Sequence, residues 1–115
     1  MVHPTKKFAL NADQIRPLAT GRGGCFATDA ITVLGYKVGY MYREAASPGF
    51  SDSGWRFFAG NESPGYLQEP ANIGIYDVNT IANYDAEIIT LLDAPVGSAF
   101  ERSDGGDGPL RPVVG

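Results

Sequence analysis

Asp52-Ser53-Gly54-Trp55-Arg56-Phe57-Phe58-Ala59-Gly60 is the stretch on which the fold turns. It holds the chain's only tryptophan, two phenylalanines and an arginine, and a glycine closes it. Side chains alternate between the faces of a strand, so Trp55, Phe57 and Ala59 share one side and Arg56 and Phe58 the other. Trp55 and Phe57 are expected to anchor the core from a central strand, with Tyr40 nearby.

Towards the N-terminus, Val38, Tyr40 and Tyr42 alternate with Gly39, Met41 and Arg43, which predicts a strand over Lys37–Glu44. Cys25–Val33 is rich in β-branched and aromatic residues and predicts its hairpin partner, turned at Leu34-Gly35-Tyr36. Ala45–Gly54, broken by Pro48 and Gly49, reads as a surface loop. Phe8–Leu10 is expected as a first short strand. Asn11 then caps a short helix with Gln14 completing a capping box, and Pro17 ends it. Thr20–Gly24 is a loop.

Towards the C-terminus, one helical turn is expected within Asn61–Asn72, and Ile73–Tyr76 is a brief strand. Asp77–Leu92 is the best helical stretch. Asp77 caps it, Val78, Ile81 and Ala82 share a face, and Ile88, Leu91 and Leu92 repeat the pattern. A bend is expected at Asn83-Tyr84 with a restart at Asp85. Val96–Arg102 is a last strand, and residues 103–115 read as a flexible tail. The sum is an α+β single domain with a mainly antiparallel sheet of about five strands, short helices and one longer bent helix. Residues 1–24 form its N-terminal strand, short helix and loop, and residues 25–102 its core.

At 115 residues, 43% hydrophobic and 19% charged, the chain fits one folded domain rather than a disordered segment. No apolar run approaches the roughly 20 residues of a membrane span. Lys6 and Lys7 have no apolar block behind them, so a signal peptide is not supported and the cytoplasm is the expected compartment. Net charge is −4, and it is unevenly spread. Residues 1–43 hold six basic and two acidic side chains, and residues 44–115 three basic and eleven acidic. Such a chain repels nucleic-acid phosphate and attracts a basic protein.

Chemistry-bearing patterns are sparse. Gly21-Arg22-Gly23-Gly24 lacks the Lys-Ser/Thr of a phosphate loop and opens a strand rather than a helix. His3 is the only histidine and Cys25 the only cysteine, so neither histidine-based catalysis, nor a disulfide, nor a zinc site is supported. Cys25 reads as a small buried hydrophobe. The carboxylates show no catalytic spacing: Asp77 and Asp85 read as caps, and Glu87 sits in a first helical turn. No catalytic residue, metal or cofactor is expected.

Arginines carry more information. Arg43, Arg56 and Arg102 each fall on an expected strand, and a buried arginine must be paired. Glu44, Asp52, Asp77 and Glu101 are the acids at hand. Arg43 and Arg102 are expected to be locked to acids. Arg56 is either locked likewise or aimed into a cleft to meet an anion. Two binding surfaces follow. One is a pocket lined by Tyr42, Trp55, Arg56 and Tyr76, suited to a small ligand or a regulatory role. The other is an exposed acidic patch drawn from Glu44, Asp52, Glu62, Glu69 and Glu101, suited to a basic protein.

Four blocks, in order, resemble the immunity protein 33 family of bacteria, formerly listed only as a domain of unknown function. They are Val38-Gly39-Tyr40-Met41-Tyr42-Arg43-Glu44, Asp52 to Gly60 as quoted, Asn72-Ile73-Gly74-Ile75-Tyr76-Asp77-Val78-Asn79-Thr80-Ile81, and Leu91-Leu92-Asp93-Ala94-Pro95-Val96-Gly97-Ser98-Ala99-Phe100-Glu101-Arg102. The resemblance spans Cys25 to Arg102. It implies a non-enzymatic binder that neutralises a cognate protein toxin without a cofactor, and it brings no catalytic residues. A basic toxin, such as a nuclease, fits the acidic half of the chain. Membrane and nucleic-acid partners are not implied, and a homo-oligomer is compatible with all of this.

Overall fold

A computed structural model describes residues 6–102 and 108–113. Among these residues six strands, β1 (Gly24–Thr28), β2 (Tyr40–Arg43), β3 (Asp52–Phe58), β4 (Ile73–Asp77), β5 (Ala99–Arg102) and β6 (Leu110–Pro112), form one sheet in the order β4-β1-β3-β2-β5-β6. β1 and β3 run parallel, and the other neighbours are antiparallel. The helices are short: α1 (Asp29–Thr32), α2 (Pro64–Gln68) and α3 (Val78–Tyr84), with 3-10 turns at Ala12–Gln14, Pro70–Asn72 and Ala86–Leu91. The fold is α+β in a single domain. Among the described residues no helix is long and apolar enough to cross a membrane.

One face of the sheet carries the core. Cys25, Ala27, Met41, Trp55, Phe57 and Phe100 meet Ile31 from α1 and Val78, Ile81 and Ala82 from α3, with Ile88 and Leu92 beyond it. Trp55 is 1% exposed and Phe57 fully buried, stacked at 6.2 Å between ring centroids, so both core anchors stand where the alternation placed them. Tyr40 is paired across from Phe58 and lies on the opposite face. Met41 takes the core position instead.

The longer bent helix expected over Asp77–Leu92 does not form: at the expected bend the chain is extended at Asp85, which separates a short helix from a 3-10 turn. α3 ends at Tyr84, Asp85 caps the following 3-10 turn through Glu87 N, and that turn supplies Ile88. Elsewhere tertiary context overrides local propensity. The strand expected over Cys25–Val33 stops at Thr28, and Asp29–Thr32 coils into α1. β1 and β2 form no hairpin, because β3 lies between them. Phe8–Leu10 is not a strand. Asn11 N donates to Gln14 Oε1 at 2.7 Å over a single 3-10 turn. The stretch read as a flexible tail contains β6, whose Leu110 is buried beside Arg102, giving a sixth strand. Residues 103–107 and 114–115, and His3, lie outside the described residues.

Candidate functional site

The opposite face of the sheet has no α3 to cover it. Across four strands, register aligns Ile75 with Phe26, Phe26 with Arg56, and Arg56 with Tyr42. Tyr40, Tyr42 and Phe58 form an aromatic cluster beside that row, with Tyr42 and Phe58 stacked at 5.9 Å. α2 and the Pro70–Asn72 turn raise a wall along it. A groove of about 700 Å³ lies between wall and row, with Leu67, Gln68 and Pro70 on one side and Phe26, Tyr42 and Ile75 on the other.

Arg56 forms part of the groove floor, and its charge is held inward. Its side chain is 3% exposed. Nε donates to Glu44 Oε2 at 2.6 Å, and the two terminal nitrogens donate to Asp52 Oδ1 and Oδ2 at 2.9 and 2.8 Å. Further bonds run to Trp55 O at 3.0 Å and Ser47 Oγ at 3.4 Å, so all five N–H groups are engaged. The guanidinium also lies 4.5 Å over the Phe26 ring.

A bulge makes this possible. Residues four apart on a straight strand stand about 13 Å apart. Here β1 advances from Gly24 to Phe26 while β3 advances from Asp52 to Arg56. The surplus is taken up around Gly54, whose φ is 88° and where a Cβ would strike the Glu44 carbonyl. Gly54 O in turn accepts from Glu44 N at 2.9 Å, which delivers Glu44 to the arginine. Asp52 also accepts from Ser47 N at 2.7 Å and Gly54 N at 2.9 Å, closing the 45–51 loop.

The electrostatics follow. Hydrogen bonding from Arg56 holds the Asp52 carboxyl well below the usual carboxylate range, against the opposing effect of burial. The same bond holds Arg56 above its ordinary value. Burial, then the Glu44 charge, pushes the Tyr42 hydroxyl up. Burial, then Asp77, pushes the Cys25 thiol up, so it stays protonated and unreactive at neutral pH.

Tyr42, Glu44 and Arg56 therefore meet at one place. Asp52 joins them from beneath, through Arg56, and the remaining expected residues do not. Trp55 is in the core and Tyr76 is on the core side, its hydroxyl 3.1 Å from Thr32 Oγ1, so the four-residue pocket does not form. Asp52 has a fully buried side chain and is not part of any exposed acidic patch. Glu62 is turned to Thr28 Oγ1, Ala59 N and Gly60 N. Glu69 is exposed and caps Ala71 N, and Glu101 is exposed across from Arg111. Of the other arginines, Arg102 binds Asp85 at 2.6 Å and Glu87 at 2.8 Å. Arg43 departs from expectation: it donates to two carbonyls, Ser53 O and Ala94 O, and lies over Trp55. Among the described residues Asp77 and Glu101 bind no arginine, and Asp77 caps α3. Phe26, Leu67, Pro70 and Ile75 escaped the sequence reading. For Phe26 the available signal was its period-2 alternation with Cys25 and Ala27.

A family model described as Immunity protein Imm33 domain matches residues 25–109. The chain belongs to this family. No curated protein and no solved structure matches it. The Imm33 match contains the Arg56 cluster and every residue of the groove. The N-terminal segment that packs against α3 lies before it.

Proposed function

We propose that this protein is an immunity protein that acts in the cytoplasm by binding a cognate toxin directly, without catalysis or cofactor. The face of the sheet away from α3 is the binding surface. It rests on one observation above others: this face presents a contiguous aromatic layer and a wide groove, and Ile75 within it is 58% exposed. An apolar patch of that kind, edged by polar groups, is what a protein partner covers.

A groove of this volume also suits a small ligand. The saturated Arg56 weighs against the anionic ligand that the sequence left open, since no N–H remains to receive it. The test is capture followed by protection. The tagged full chain is purified from its native cells, and the co-purifying protein is identified by mass spectrometry. That protein is then expressed in a neutral host with and without this chain. Growth arrest by the captured protein alone, relieved by co-expression, is the expected result. Arrest that persists with the two proteins co-expressed at equal levels would overturn the reading.

A further inference from the structure

The groove has two chemically different ends, and this deepens the reading of that face as the toxin-binding surface, on which it rests. At the β4 end, Ile75 on the edge strand and Leu67 and Pro70 on the facing wall are exposed apolar groups. At the β2 end, Glu44 gives Oε2 to Arg56 while its side chain stays 51% exposed. Among the described residues it has no second cationic partner. The charged groups of the groove and its floor are Glu44, Arg56 and Asp52, which sum to one negative charge. An incoming cation thus meets an open carboxylate. An incoming carboxylate meets repulsion from Glu44 and finds no free N–H on Arg56, the one cation lining the groove among the described residues. From Ile75 to Tyr42 the row crosses three strand spacings, about 14 Å, which an extended chain covers in about four residues.

We propose that this groove holds an extended segment of the protein toxin, running across the strands, with an apolar side chain at the Ile75 end and a lysine or arginine about four residues away against Glu44.

A capped pentapeptide with leucine first, arginine last and serines between is the probe. It is titrated into the full chain, uniformly labelled with nitrogen-15, and followed by amide shifts. Saturable shifts at Phe26, Glu44 and Ile75 are expected, with millimolar affinity. Replacing the peptide's arginine with glutamate should weaken binding by about tenfold or more. Ile75→Ser and Glu44→Gln should each weaken it, and melting curves show whether either variant is folded. If Glu44→Gln melts early, Ile75→Ser and the glutamate peptide decide alone. Equal binding of both peptides, or shifts elsewhere, would overturn the proposal. So would shifts at these amides on concentrating the chain without peptide, which would mean that a second copy fills the groove. The captured toxin separates the two levels. Protection that survives Ile75→Ser and Glu44→Lys removes the groove and leaves the immunity reading. A wild-type chain that fails to protect removes that reading, while the peptide shifts still decide the chemistry of the groove.

Discussion

Trp55 is the largest fully buried side chain, and its indole N–H reaches Leu92 O at 3.2 Å. Trp55→Ala leaves both a cavity and an orphaned carbonyl, so it should cost about 3–5 kcal/mol in chemical denaturation. A curve that barely moves would place Trp55 outside the core. Asp52 gives a second test, through pH. Its folded-state pKa lies below the unfolded value, so its contribution is complete above about pH 4 and is lost as pH falls through the lower folded value. Glu87, lowered by its bond from Arg102, acts in the same direction. Melting temperature should therefore hold from neutral to about pH 5 and drop below it. Asp52→Asn should lower stability at neutral pH and shallow the acid drop; an unchanged acid slope would mean that other carboxylates govern it. At this scale the sequence was a good guide where one face of a strand was uniform, as at Trp55 and Phe57. It misled at Tyr40, because β2 is apolar on both faces and alternation alone does not say which side the helices will cover. Arg43 was misjudged for another reason. A guanidinium needs acceptors rather than carboxylates, and carbonyls brought from residues 53 and 94 are invisible in the local sequence.

Arg102 shows how one side chain joins elements. It binds Val38 O ahead of β2, Asp85 at the break after α3, Glu87 in the following turn and Gly108 O ahead of β6. Asp85 completes the junction by accepting from Val38 N at 3.1 Å. Both side chains are 5% exposed. Removing one partner of such a pair strands the other, so Arg102→Ala should lose about 3 kcal/mol or more. Arg102→Lys should recover only part of this, since one ammonium does not span four acceptors. Equal melting temperatures for the lysine variant and the parent would show that charge alone suffices. The bend that creates this junction was legible, because Asp85 is a strong cap in mid-pattern. The absence of a β1–β2 hairpin was not. Ile31-Thr32-Val33 has strand-forming side chains, yet they are needed beneath the sheet. A turn of helix carries Ile31 there, against its weak local preference.

For the molecule as a whole, the segment before the family match is fastened by polar side chains of α3. Asn79 accepts from Leu18 N and Ala19 N, both at 2.7 Å, and donates to Arg16 O. Asn83, one turn on, holds Arg16 through both N and O. Helical periodicity marked the apolar side of α3 and passed over this polar one. Asn79→Ala should loosen residues 16–19, read as faster amide exchange at Leu18 and Ala19 with the sheet amides unchanged. Loss of protection across the whole sheet would instead make this clamp part of the global fold. The strand order has a kinetic consequence. Only β2 with β3 and β5 with β6 are neighbours in both chain and sheet. β1, first to leave the ribosome, lies between β3 and β4, so its place does not exist until most of the chain has been made. Folding should be slow for this size, in the millisecond-to-second range of chains dominated by distant contacts. The β2–β3 ribbon should form early and β1 should enter late. In stopped-flow experiments Met41→Ala should slow refolding, whereas Ala27→Gly should chiefly speed unfolding; the reverse pattern would make β1 the nucleus. Until β1 arrives, two sheet edges stand open at the centre of the molecule, and that interval is when the nascent protein is most exposed to aggregation.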